Sequence, residues 1–159
     1  MISTKTVVQA LSIATLLSSI HFQLNAQEPT KLSPTEKIEA RQEIMKGYKS
    51  WDKKLSNSFK AEILDTQTLT NAVIFFKNNS GEMLLELFPE MVTPEGVKTK
   101  AKSAIWRSYD EFTAITLDVN KAANEAFALT EEGDFESAKD AINPIINSCR
   151  SCHKKYKAR

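Results

Sequence analysis

Two cysteines, two histidines, four glycines and five prolines are the whole supply of those residues in 159 positions. Each shortage narrows the field. His21 lies within the first 26 residues, so the rest of the chain holds His153 alone, and a pair of histidines on one metal within residues 27–159 is excluded. A structural zinc site wants four ligands, whereas two thiols and one imidazole make three. The glycines and prolines fall mostly between longer segments, and no convincing alternation of apolar and polar residues marks a strand. Neither an internal repeat nor a low-complexity segment is present. Excess charge is missing too: 21 basic against 20 acidic side chains leaves +1, no bulk attraction for nucleic acid or an anionic membrane.

No uninterrupted apolar run is long enough to span a bilayer, which takes about 20 residues. The nearest approach is N-terminal. Lys5 precedes a stretch from Val7 to Ile20 diluted with Ser and Thr, and Leu24-Asn25-Ala26 follows it. This is the anatomy of a cleavable secretory signal. Residues 1–26 are therefore expected to be removed, leaving 27–159 as an exported domain without membrane insertion. No cysteine follows the cleavage site closely enough to carry a lipid. Processing removes Lys5 and no acid, so 20 basic side chains face 20 acidic ones and the balance is zero. The remaining length suits one domain.

Four helical segments are expected in that domain. The first begins at a capping box, with Ser33 as N-cap, Pro34 at the first helical position and Glu36 two further on. Ile38, Arg41, Met45, Tyr48 and Leu55 then recur on one side, with Ile44 and Trp51 beside them. The second runs from about Thr66 to Lys77 with Leu69, Val73 and Phe76 on one face, and Asn78-Asn79-Ser80-Gly81 stops it. After a connection containing Leu84, Leu87 and Phe88, a third helix is expected from near Val97 to Leu129, on a stripe of Ala101, Ile105, Phe112, Ile115, Val119, Ala122 and Ala126. Asp134 caps the fourth, which carries Phe135, Ala138, Ile142, Ile145, Cys149, Cys152 and Tyr156 and contains Pro144. Four amphipathic helices bury their stripes against one another, so the fold class is all-α, a four-helix bundle.

The scarce residues converge on Cys149-Arg150-Ser151-Cys152-His153. On a helix, the two thiols at i, i+3 and the imidazole four residues after the first share one side. C-x-x-C-H is the attachment signal of a c-type haem, in which both thiols bond to the porphyrin and the histidine takes the iron. Three other uses compete. A disulfide needs Cβ atoms about 3.8 Å apart, closer than the 5–6 Å or so of helical i, i+3 positions. A thiol–disulfide redox pair usually opens a helix in a βαβ setting. Zinc lacks a fourth ligand. Haem attachment, one haem c per chain, fits best.

The run Ile142 to Lys157 resembles the C-terminal helix of class II c-type cytochromes, the cytochrome c′ family with its low-spin, six-coordinate relatives. Glu39 to Lys46 is similar to that family's first helix, and Ala104-Ile105-Trp106 to a stretch of its third. The resemblance implies an antiparallel four-helix bundle with haem on the C-terminal helix, often a homodimer, in a bacterial periplasm. It implies that Arg41 and Gln42 meet the haem, Arg41 through a propionate, and that Lys157 lies near the proximal face. It places Met45 on the distal side, where two roles stay open: a sixth, thioether ligand to the iron, or a wall beside a five-coordinate iron. Met83 and Met91, in or near the connection, are further thioethers.

The expected function is electron transfer with redox partner proteins and no transformed substrate, hence no enzyme. The alternative is binding of nitric oxide or carbon monoxide at an open distal site. Arg150, Lys154, Lys155, Lys157 and Arg159 form a basic patch that either steers an acidic partner or only complements the helix C-terminus.

Overall fold

A helix needs a start, a buried stripe and a stop, and the long segments of this chain supply them. The computed structural model describes residues 31–62, 64–89 and 93–159; the expected signal segment 1–26 and Met91 lie outside them. Helix α1 spans Pro34–Lys60. The Ser33 hydroxyl accepts from the Glu36 amide at 3.3 Å, and the Glu36 carboxylate accepts from the Ser33 amide at 2.8 Å, satisfying two donors that have no partner within the helix. Helix α2, Thr66–Asn78, is capped by Asp65, whose carboxylate accepts from the Thr68 amide. Two single-turn helices follow, α3 (Glu82–Leu85) and α4 (Ala104–Arg107). Helices α5 (Tyr109–Glu131) and α6 (Phe135–Tyr156) complete the chain. Between them Gly133 sits at φ 78°, a left-handed conformation open to glycine at little cost, which permits the tight reversal. Helix α6 continues through Pro144.

The four long helices form the bundle. Helix α5 lies closely along α6, α2 packs on α5, and α1 leans on α2 rather than running closely along α6. Two apolar cores result. One holds Leu55, Leu69, Val73, Phe76, Ile142 and Ile145 with the fully buried Ala72, Ala123, Ala126 and Ala138. The other gathers Leu84, Leu87, Phe88, Ile105, Phe112 and Tyr156.

The stripes of α1, α2 and α6 lie where the periodicity puts them, since Ile38, Arg41, Leu55, Leu69, Val73, Phe76, Ala138, Ile142, Ile145 and Tyr156 are all buried. The third helix does not begin near Val97. Residues 97–102 are non-helical and form a strap: Ala101 bridges antiparallel to Lys157, the Lys102 amide donates to the Tyr156 carbonyl at 2.9 Å, and the Ala158 amide donates to the Lys100 carbonyl at 2.8 Å. Those bonds tie up main-chain groups that a continuing helix would need. Ser108, at φ −130° and ψ 49°, then separates α4 from α5. The α5 stripe also shifts, with Thr116, Ala123 and Thr130 buried beside Phe112 and Ala126, and Ala122 only partly covered.

Candidate functional site

Helix α6 carries the thiols and the imidazole on successive turns. Cys149 and Cys152 are free and half-buried, and the Cys149 Sγ–H donates to the Ile145 carbonyl at 3.2 Å. Burial first, then the negative charge of Asp52 and the neighbouring Cys152, pushes the Cys149 thiol up to about 11. Burial raises Cys152 as well. Both sulfurs are therefore protonated at neutral pH, which makes them poor exchange nucleophiles and poor thiolate ligands. Among the described residues no group of three or more His, Cys, Asp or Glu side chains is placed to hold a metal ion. His153 is exposed overall, yet burial of its ring and, second, the charge of Lys157 hold its pKa below the usual histidine value. Neutral imidazole with an available lone pair is the form that binds iron.

The facing wall comes from α1. Met45, Ile44 and Tyr48 pack against the same aromatic core as Cys152. Tyr48 is close enough to Cys149 and Cys152 for their charges to add to the upward shift that burial imposes on its phenol. That phenol donates to the Asn79 carbonyl, so the one hydroxyl on this stretch of α1 is already bonded.

Arg41 is 6% exposed. Its guanidinium donates from Nη1 to the Leu87 carbonyl at 3.3 Å and from Nη2 to Thr99 Oγ1 at 3.0 Å, and its carbon sits 4.5 Å from the Phe88 ring centroid. Burial lowers its pKa, and among the described residues no carboxylate pairs with it. A buried cation held by neutral acceptors is costly. Two more groups in this region are buried and make no direct hydrogen bond, Trp106 Nε1 and the Tyr156 hydroxyl, the latter with the Lys155 ammonium nearby. Buried donors are normally paired. A porphyrin bearing two carboxylates suits this set of groups: two neutral thiols, one imidazole, an anion-free arginine and two unpaired donors.

Of the residues singled out from sequence, the fold brings Met45 and Cys152 to one core, with Arg41 stacked on its Phe88. Gln42 does not join them; it is exposed and donates to the Lys98 carbonyl at 2.8 Å. Lys157 is exposed one turn beyond His153, and Met83 is 39% exposed. Asp52, Thr99 and the unpaired donors of Trp106 and Tyr156 escaped sequence reasoning. Trp106 and Tyr156 each left a signal, Trp106 in the family-like stretch and Tyr156 on the stripe of the fourth helix three residues after His153. Asp52 and Thr99 act across the fold and left none.

A family model described as cytochrome c′ matches residues 36–157. A cytochrome c′ of Allochromatium vinosum is 30% identical over 132 residues, covering 80% of this chain and 84% of the relative. The solved cytochrome c′ of Thermochromatium tepidum superposes with a TM-score of 0.66 at 23% identity, over 81% of this chain and 99% of the other. A ferrous variant of the Alcaligenes xylosoxidans protein, solved with nitric oxide bound, gives 0.62 at 20% identity over 80% and 97%.

Proposed function

This chain belongs to the cytochrome c′ family, and from that premise we propose that it is an exported, periplasmic electron carrier that transforms no substrate. The family carries one covalently attached c-type haem per chain. When bound, the haem supplies a one-electron ferrous–ferric couple and, where its sixth position is open, an iron that takes diatomic gases.

In this reading Cys149 and Cys152 form the two thioether bonds and His153 gives its lone pair to the iron. Arg41 turns its guanidinium to a propionate, gaining the anion that its buried position lacks. Lys157 borders the group beside the imidazole, while Gln42 stays with the strap at the Lys98 carbonyl. Met45, with Ile44, forms an apolar distal wall and does not ligate. The observation that carries the proposal is the placement of two free, half-buried thiols and an imidazole within one short stretch of α6. Residues 1–26 direct export and are cleaved, and two mature chains associate as a homodimer. No described helix is long and apolar enough to cross a membrane.

Denaturing electrophoresis with haem staining, together with intact mass, tests the attachment. One covalent haem on a chain starting at Gln27 is the expected result; a pigment that extracts into acidified organic solvent overturns it. Gas binding as the main role is favoured by one feature of α1. Ile44 and Met45 offer no hydrogen-bond donor to exclude a small apolar gas, and the related Alcaligenes xylosoxidans protein takes nitric oxide. A high-spin ferric spectrum with carbon monoxide binding in the ferrous state supports that role; a low-spin ferric spectrum removes it.

A further inference from the structure

We propose that the cleft at the C-terminal end of α6 is a docking face for an acidic electron-transfer protein, an inference that rests on the electron-carrier reading above. The cleft is a shallow, open depression lined by Lys100, Arg150, His153, Lys154, Lys157 and Arg159. Five of these are permanent cations, and all five are exposed. Among the described residues the ion pairs are Lys46–Glu43, Lys139–Glu136 and Lys155–Glu111, so none of the five is neutralised by a carboxylate. Lys155, on the same helix, is paired and lies outside the cleft. The unbalanced charge is therefore local, in a chain whose basic and acidic side chains differ by one.

Complementing the helix dipole does not account for this arrangement. That effect fades beyond the last turn, yet Arg150 stands earlier on α6. Lys100 comes from a different segment, delivered by the strap through the Ala101–Lys157 bridge and the Ala158–Lys100 main-chain bond. Like charges gathered this way repel, and an opposing acidic surface removes the repulsion.

The cations are spread over a helix, a strap and the chain end, and none is buried to form a pocket for a small ion. A broad cationic face matches a broad acidic one. Arg150 lies between the two thiols in sequence and His153 lines the cleft, so a protein seated there lies beside the turn assigned to the iron ligand. The path for an electron is then short.

The test uses the haem-loaded ferrous protein and two oxidants, trianionic hexacyanoferrate(III) and tricationic tris(phenanthroline)cobalt(III). Each takes one electron from ferrous iron, giving ferric iron with hexacyanoferrate(II) or the cobalt(II) complex. The rate with hexacyanoferrate should fall by about tenfold or more as ionic strength rises, while the cobalt rate rises. Arg150→Glu with Lys154→Glu should reverse the order of the two oxidants. Lys139→Glu, roughly 17–22 Å away along α6 at 1.5 Å per residue, should preserve it. An acidic flavodoxin, titrated at low ionic strength and followed by nuclear magnetic resonance, should shift resonances around the cleft, and the double variant should lose those shifts. Rates indifferent to salt and oxidant charge overturn the docking face and leave the electron carrier standing. Hexacyanoferrate steering without flavodoxin binding overturns the protein partner in favour of a small-anion site. Failure to exchange electrons with either oxidant overturns the carrier reading and, with it, this proposal.

Discussion

The two cores of the bundle are built on opposite principles. Around Phe76 and Ile142, four alanines with no exposed surface let α2, α5 and α6 approach closely, and the buried hydroxyls of Ser80 and Thr130 nearby are satisfied by the Phe76 and Phe127 carbonyls. Around Phe88 and Phe112 the material is large and comes from α3, α4, the connection after α3 and the ends of α5 and α6. Phe112 meets Phe88 at 5.0 Å and Tyr156 at 5.3 Å between centroids, edge to face. Arg41, Trp106 Nε1 and the Tyr156 hydroxyl bring polar groups into that region without a full set of partners. The alanine-lined core completes itself and holds the bundle together. The aromatic core leaves those polar groups without full partners, and Cys152 packs at its border.

The sharpest break in this contrast is loss of the haem. Cys149→Ala with Cys152→Ala should abolish covalent attachment, read as absent haem stain and absent mass increment, while the far-ultraviolet circular dichroism of the bundle persists. Collapse of helicity in that variant would show that the alanine-lined core is not self-sufficient.

Next in size is Phe76→Ala, 1% exposed in the alanine-lined core. It should cost about 3–5 kcal/mol in denaturant unfolding and leave the haem spectrum unchanged. A spectral change would mean that the two cores are coupled. Met45→Leu, in the aromatic region, nearly conserves volume and should cost less than about 1.5 kcal/mol. With Met45 as a wall, the wild-type ferric protein is high-spin and the variant spectrum matches it. A low-spin wild type that turns high-spin in the variant would make Met45 the sixth ligand.

Tyr156→Phe sharpens the comparison through a change of sign. Deleting a buried hydroxyl that has no partner should be neutral or stabilising in haem-free protein. The same change in loaded protein should cost about 1 kcal/mol, a typical hydrogen bond, if a haem carboxylate accepts from it. Equal effects in both forms would remove Tyr156 from the site.

The smallest effect is with pH. Because the folded Cys149 pKa is raised, to about 11 from 9.0, its contribution is whole below the unfolded pKa and drains as pH climbs from about 9 to about 11. Haem-free protein should lose stability over that window, and thioether-linked protein should not. Parallel pH profiles would contradict the burial of this thiol.

Much of this was legible in the chain. The starts of α1 and α6 were, because Ser33 and Asp134 are local caps whose partners lie three residues away. Three of the four stripes were, because burial against neighbours imposes one period on the residues that face inward. The thiol–imidazole constellation was, because its chemistry depends on spacing along one helix. The start of α5 was not: Ala101 and Ile105 continue an apolar spacing that reads as helix. The strap instead obeys main-chain bonds to Tyr156 and Ala158, more than fifty residues on. The same non-local bonds decide which lysines share a surface, since they bring Lys100 into the cleft while Glu111 on α5 pairs with Lys155. Gln42 follows the strap to the Lys98 carbonyl, and Arg41 finds Thr99 there. By itself, then, the sequence determined what short-range geometry can express: helices, caps, stripes and the order of ligand atoms on one helical face. Which α1 groups face those atoms, which donors are buried without partners and where charge stays uncompensated were decided by tertiary packing, because each depends on residues that only the fold brings together.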